Sequence, residues 1–459
     1  MCEPVDCRTP LWDALCAHAE QNRAAFHTPG HKGRLLLDEV SAAYDLTELP
    51  DTGSLYDGGD AIEASERLFA EAFGAGETLY SAGGCTLCIQ TMLLLACGGS
   101  SGRVLMVRNA HRSAVNAAAL LGFEPVWLWP EAGKQPTVEN VDEKLKTCGD
   151  IQAVYVTSPD YSGRLADIEG LAALCHTRRV PLLVDNAHGS HLGAFGRHPL
   201  TLGADMTADS CHKTLPVLTG GAVLHLSKSW IARQNIPEVR RRAKAAMALF
   251  GSTSPSFPVL ASLDKAQAWW RKEGADAYRR TADRVRMLRI AAKQAGFHVP
   301  DGDGMDPVRL TLGTAPLRLS GTEAAEVFRM YGCEPEHADG HMVVFIVTPF
   351  NTEGDLLRLE QAIREIPFGG KSQTAAEAAA FDPFRFEHPV FRMSPRQAAL
   401  SDTEEIPSDQ AAGRIAARSV CPCPPGIAAA VPGEQIGAPL AARLADWGIP
   451  TVTVVRETI

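Results

Sequence analysis

Between residues 184 and 214, an apolar run ends in Val184-Asp185-Asn186-Ala187-His188-Gly189, and Asp209-Ser210-Cys211-His212-Lys213-Thr214 brings a lysine 28 residues after the aspartate. A lysine amine can condense with a carbonyl, and a carboxylate beside a pyridine nitrogen keeps that ring protonated and electron-accepting. A pyridoxal 5′-phosphate cofactor needs both groups. On this reading Asp185 is the partner of the ring nitrogen and Lys213 the Schiff-base lysine. Taken singly, each has a plainer reading, a strand-end turn residue and a solvated surface lysine. Together they point to chemistry.

A phosphate needs backbone N–H groups and hydroxyls at a helix N-terminus, and Ser81-Ala82-Gly83-Gly84-Cys85-Thr86 directly precedes a helix-like run over 87–96. Gly84, Cys85 and Thr86 are the candidates there. Arg108-Asn109-Ala110-His111-Arg112-Ser113 follows an apolar run at 104–107, which puts His111 at a strand end where its ring could lie flat on a cofactor; alone it would read as a helix cap or surface residue. Cys85-Thr86-Leu87-Cys88 and Cys421-Pro422-Cys423 have no second half with zinc-ligand spacing, so they read as thiols rather than as a metal or redox site.

These residues need a scaffold of strand ends. Short apolar runs at 103–107, 125–129, 153–157, 181–185 and 222–226 alternate with helical patterns such as 113–121 and 168–178. The alternation predicts an α/β fold with a mostly parallel sheet covered by helices, which binds ligands at the carboxyl ends of its strands. A long helical connection over 258–296 leads to an α+β pattern: strands at 308–312 and 342–347, helices at 323–331 and 353–365. After a mixed stretch at 371–407, a Pro/Gly-rich tail precedes a final helix and strand. The expected division is an N-terminal segment (1–60), a major cofactor-binding domain (61–300), a small α+β domain (301–370) and a C-terminal domain (371–459).

With 459 residues, 45% hydrophobic and 21% charged, the composition is that of a packed multidomain protein. A formal charge of −10 argues against nucleic acid as a partner. Residues 1–10 carry Glu3 and Asp6 without a basic start and apolar core, and no apolar run approaches the ~20 residues of a membrane span. A cytoplasmic protein without membrane partners is expected.

The motifs in order resemble the Orn/Lys/Arg decarboxylase family, fold-type I enzymes related to aspartate aminotransferase, in a short form without an N-terminal wing domain. The resemblance covers nearly the whole chain. It rests on Phe26-His27-Thr28-Pro29-Gly30-His31-Lys32-Gly33, Thr47-Glu48-Leu49-Pro50, the 108–113 stretch, Thr157-Ser158-Pro159-Asp160-Tyr161, the 185–189 run and His212-Lys213-Thr214-Leu215-Pro216. Thr253-Ser254-Pro255-Ser256, Pro424-Pro425-Gly426-Ile427 and Pro432-Gly433-Glu434 complete it.

The resemblance implies Lys213 as Schiff-base lysine, Asp185 at the pyridine nitrogen, His111 stacked on the ring, His188 near it, and Gly84, Cys85, Thr86, Ser210 and His212 around the phosphate. Lys213 or His212 would return a proton to the substrate carbon. The family's subunits form homodimers or larger assemblies with active sites at the interface, a hydroxyl within 252–254, such as Thr253, reaching the neighbour's phosphate. The implied reaction converts lysine, ornithine or arginine to the diamine or agmatine. Glu48, Asp51, Asp57, Asp60 and Glu434 are unranked candidates to read the distal cation. Two positions depart from the family pattern: Asn186 replaces an acidic residue, and Cys85-Thr86 a Ser-Thr pair. Other pyridoxal lyase chemistry (aldol cleavage or β-elimination) and a non-catalytic regulatory paralogue stay open as alternatives.

Overall fold

The computed structural model describes residues 23–26, 30, 32, 48, 53–58, 60–98, 102–131, 134–234, 238–366, 389–421 and 426–457. Strand β1 (Ala24–Phe26) is followed by β2 (Glu77–Ser81), β3 (Arg103–Val107), β4 (Glu124–Leu128), β5 (Ile151–Thr157), β6 (Leu182–Asp185), β7 (Met206–Asp209) and β8 (Ala222–Leu226). β2 to β8 form one seven-stranded sheet in the order β2-β8-β7-β6-β5-β3-β4. Only β8 runs against its neighbours. The central strands are nearly unbroken Val, Leu and Met because helices cover both faces, so neither face reads as polar.

The mostly parallel sheet agrees with the expectation, and the structure adds two strands that the sequence reading left out. β2 leads into the helix Gly84–Cys97 through Gly84 at φ +70°, and β7 ends immediately before the turn Cys211–Thr214 that carries Lys213. Both are short and contain polar residues (Thr78, Ser81, Thr207, Asp209) inside the core, which masks their strand character.

The helical connection consists of Phe257–Trp269, a π-turn at Trp270–Gly274 and Ala275–Gln294. It reaches an antiparallel sheet of β9 (Arg309–Gly313), β11 (His337–Ala338) and β12 (Met342–Ile346), flanked by helices Gly321–Met330 and Glu353–Arg364. Each helix starts in a capping box, Ser320 with Glu323 and Thr352 with Asp355. β10 (Cys333–Pro335) pairs in parallel with β1, which fastens the N-terminal segment to this region. Farther on, β13 (Thr403–Pro407) and β14 (Thr451–Val455) pair antiparallel; β13 lies in the stretch for which no strand was expected.

One apolar core joins Phe69, Leu263 and Tyr278, which pack beneath the large sheet, to Leu310, Phe328, Phe345 and Ile363 of the small one. The β13–β14 region has its own core around Leu440, Leu444, Val452 and Val454. No helix among the described residues is long and apolar enough to cross a membrane.

Gly30 shows how closely the N-terminal segment meets the lysine turn. Its N–H donates to the His212 carbonyl, and Thr348 Oγ1 donates to the Gly30 carbonyl at 3.0 Å. A Cβ there would lie 2.5 Å from the Thr214 carbonyl carbon and 2.6 Å from the Leu215 oxygen, backbone atoms that cannot rotate away. Gly30→Ala should therefore lower stability by about 1–3 kcal/mol, read as a drop in thermal unfolding midpoint. An unchanged midpoint would show that this contact yields freely.

Candidate active site

A cavity of about 270 Å³ opens where the carboxyl ends of β5 and β6, the turn after β7 and the start of helix Gly84–Cys97 converge. Its lining brings together Gly84, Cys85, Thr86, His111, Asp185, His188, Ser210, His212 and Lys213. Asn109, Thr157, Asp160, Tyr161 and Ile427 complete much of the wall.

Asp185 is the last residue of β6, paired in register with Thr157 on one side and Ala208 on the other. Only 2% of it is exposed, and its oxygens accept from Tyr155 Oη at 3.0 Å and the Ala187 N–H at 3.2 Å. Burial pushes this carboxyl above its usual value, opposed by the charge of Lys213 and by both hydrogen bonds. A buried carboxylate in that position favours a cation beside it. Tyr155 has no motif to mark it, since it sits mid-strand and reaches Asp185 only through sheet pairing.

Lys213 Nζ lies 2.8 Å from His188 Nε2, and His188 Nδ1 lies 3.2 Å from Arg309 Nη2. Burial pushes the Lys213 ammonium down, and Arg309 adds to this; Asp185, Cys85 and Glu336 act the other way. His188 is held well below the usual imidazole value by burial first, then by Lys213 and Arg309, so it is neutral. Arg309 enters from β9 and was not singled out by any motif.

Helix Gly84–Cys97 starts with no side-chain cap and no acidic residue in its first turn, so its positive end is available to an anion. His212 Nδ1 donates to the Gly221 carbonyl at 3.1 Å, with Ser210 Oγ at 3.4 Å. Asn109 and Thr157 line the cavity, and their buried Oδ1 and Oγ1 atoms have no hydrogen-bond partner among the described residues. Burial pushes the Cys85, Cys88 and Cys211 thiols up, which keeps them protonated.

His111 caps helix Arg112–Leu121, its Nδ1 accepting from the Ser113 N–H at 3.2 Å, and also lines the cavity. Burial and the nearby cations Lys213 and Arg112 push it down to about 4. Gly426 abuts the ring; a Cβ there would come within 2.7 Å of His111 Nε2.

Other expected residues lie elsewhere. Ser252, Thr253 and Ser254 are exposed and absent from this lining. Glu48 accepts from the Leu55 N–H at 2.8 Å, and exposed Asp57 pairs with Ser54 Oγ at 3.2 Å. Glu434 corrects the expectation most sharply. It is fully buried, pairs with Arg108 Nη2 at 3.2 Å and accepts from the Val431 N–H at 2.8 Å, so it binds the chain's own cation. The Asp60 side chain lies outside the described residues, as do Asp51, Pro424 and Pro425, together with His27, Thr28, Pro29, His31 and Gly33 of the N-terminal motif. Missed by motif reading was Glu336, which accepts from Tyr161 Oη at 2.8 Å and acts on both Lys213 and Lys32. Burial pushes Lys32 down to about 7.

Asn186 now has a physical reason. Its Nδ2 donates to Asp209 Oδ2 at 2.7 Å, where an acidic side chain would set two carboxylates against each other. His198 Nε2 lies 2.9 Å from the same oxygen, and among the described residues His198, Asp209 and His225 have spacing that could hold a metal. The Leu200 N–H donates to His198 Nδ1 at 3.3 Å, which puts the ring proton on Nε2, facing Asp209, and makes this pair a hydrogen bond.

The model for "Orn/Lys/Arg decarboxylase, major domain" matches residues 9–311, and that for the family's C-terminal domain matches 377–445. An arginine decarboxylase of Bacillus anthracis is 30% identical over 457 residues, spanning 93% of this chain and 90% of the relative. One from Bacillus subtilis is also 30% identical, spanning 93% and 91%. The structure of lysine decarboxylase A from Pseudomonas aeruginosa superposes with a TM-score of 0.72 at 18% identity, over 98% of this chain and 84% of that one. The fold is that of fold-type I pyridoxal phosphate enzymes. Because the major-domain match takes in the whole large sheet and reaches into β9, and near full-length relatives carry the same kind of name, the chain belongs to the Orn/Lys/Arg decarboxylase family of enzymes.

Proposed function

We propose that this chain decarboxylates a basic amino acid in the cytoplasm, using pyridoxal 5′-phosphate held on Lys213, with arginine the first substrate to test. The observation that carries the reading is the pairing of Lys213, 2.8 Å from His188, with buried Asp185 in one cavity that also opens onto an uncapped helix N-terminus. Arginine comes first because the relatives that share 30% identity carry the name arginine decarboxylase.

When bound, pyridoxal phosphate supplies an electron-accepting ring for the pair left behind by the departing carboxylate. Asp185 would hold the proton on the ring nitrogen, and the amides of the 84–86 turn, with Thr86 and Ser210, would hold the phosphate. His111, neutral because burial holds its pKa down, would lie against the ring without adding charge. Lys213, or His212 beside it, would return a proton to the substrate carbon.

The chain would act as a homodimer or larger assembly. The exposed hydroxyls at 252–254 would reach a neighbour's phosphate, and Leu249, 73% exposed just before them, would be covered by that neighbour.

The test is to incubate the cofactor-loaded protein with arginine, lysine and ornithine. Carbon dioxide should appear with agmatine, cadaverine or putrescine respectively, identified by mass spectrometry. Release from none of the three would overturn the proposal.

A further inference from the structure

The two nitrogens of His188 face different partners, and the chemistry of one decides the other. Arg309 Nη2 lies 3.2 Å from Nδ1 and Lys213 Nζ lies 2.8 Å from Nε2. A guanidinium has only N–H groups and stays protonated, so Nδ1 must accept. A neutral imidazole that accepts at Nδ1 carries its proton on Nε2. That N–H then points at Nζ, which can accept only if the amine keeps its lone pair. An ammonium there would set hydrogen against hydrogen.

We propose that Arg309 is a positioning residue that locks His188 in the Nε2–H tautomer and, through it, holds Lys213 as an uncharged amine. The free amine is the form able to attack a carbonyl.

Arg309 is built to hold this position. It is 1% exposed, its Nη1 donates to the Tyr161 carbonyl at 3.0 Å, and Asp306 Oδ2 lies 4.0 Å from Nη2. Its stem crosses Gly163, where a Cβ would come within 2.7 Å of Arg309 Cγ. Tyr161 also meets the His188 ring edge-on at 5.1 Å, so the backbone that fixes Arg309 carries the side chain that fixes the imidazole. The charged and titratable groups acting on Lys213 are Asp185, Cys85, Glu336 and Arg309, with His188 and His111 facing it. Those acting on His188 are Lys213, Arg309, His111 and His212.

The proposal rests on reading Lys213 as the cofactor-bearing lysine, but its test reads the amine itself and does not depend on decarboxylation. Cofactor-free protein is labelled with trace acetic anhydride across pH, and acetylation of the Lys213 peptide is followed by mass spectrometry. Labelling should rise with pH through a midpoint below the ordinary lysine value of 10.5. Arg309→Met should move that midpoint up by about one pH unit or more. Part of this shift is simple loss of a nearby positive charge, so the same substitution is repeated in a His188→Leu background. A clearly smaller shift there supports the relay; an equal shift in both backgrounds overturns it, leaving charge alone. If Arg309→Met does not fold, the 15N spectrum of histidine-labelled wild type decides, with His188 assigned by loss of its signal in His188→Asn. Protonated Nε2 with bare Nδ1 supports the proposal, and the reverse overturns it. Failure of the decarboxylation test with a normal tautomer would count against the function and leave this inference standing.

Discussion

Asp185→Asn should lower kcat for decarboxylation by about a thousandfold, roughly 4 kcal/mol of transition-state stabilisation, with little change in fold. The carboxylate is buried, is oriented by Tyr155 Oη and the Ala187 N–H, and has its pKa raised by burial. Such a group gains most when a cation stands beside it, and a protonated ring nitrogen would be that cation. An amide of the same shape fits the space and keeps the Ala187 N–H bond on its oxygen while its NH2 donates to Tyr155 Oη, but it has no charge to hold the proton in place. Lys213→Ala should go further and remove turnover altogether, since no other lysine among the described residues lines the cavity. Single-turnover kinetics on loaded protein separate this effect from weaker cofactor retention. A kcat for Asp185→Asn within tenfold of wild type would remove Asp185 from the role.

Arg108→Met should be the most damaging substitution away from the cavity, costing about 3–5 kcal/mol of stability. Arg108 is 1% exposed and lies between the Trp127 and Trp129 rings, 5.2 and 5.1 Å from their centroids. It donates to the Ala428 carbonyl at 2.5 Å, the Ala429 carbonyl at 3.2 Å and Glu434 at 3.2 Å. Methionine replaces much of the volume and none of the donors, so it leaves a buried carboxylate and two carbonyls without this partner. Glu434→Gln should cost less, because the amide oxygen still accepts from the guanidinium. Thermal unfolding of the two variants checks the order, and equal midpoints would contradict it. Ile427 lines the cavity and Gly426 touches His111, so Arg108→Met should also weaken cofactor retention.

The parts of the site that can be read along the chain are those at strand ends. Asp185 closes β6, His111 follows β3 and Lys213 follows β7, and each stands in a local run whose polar residues interrupt an apolar stretch. The parts that cannot be read there depend on pairing across distance. Tyr155 meets Asp185 because β5 and β6 are in register, and Arg309 meets His188 across 121 positions. Glu434 belongs to a family motif and is acidic, which suits a substrate cation as well as it suits Arg108, and only the fold tells them apart. The reversed direction of β8 is equally silent, because five buried residues in a row look the same in either direction.

The small sheet borrows its interior. Leu310, Phe328 and Phe345 belong to the same apolar core as Phe69, Leu263 and Tyr278, so the change of pattern near residue 300 is a seam in the sequence with no matching seam in cohesion. Melting is therefore shared across that seam, whereas the β13–β14 region, with a core of its own, has the means to loosen separately. Whatever β9 contributes to the cavity, Arg309 above all, is thus insured by the cooperativity of the whole and cannot fray away on its own.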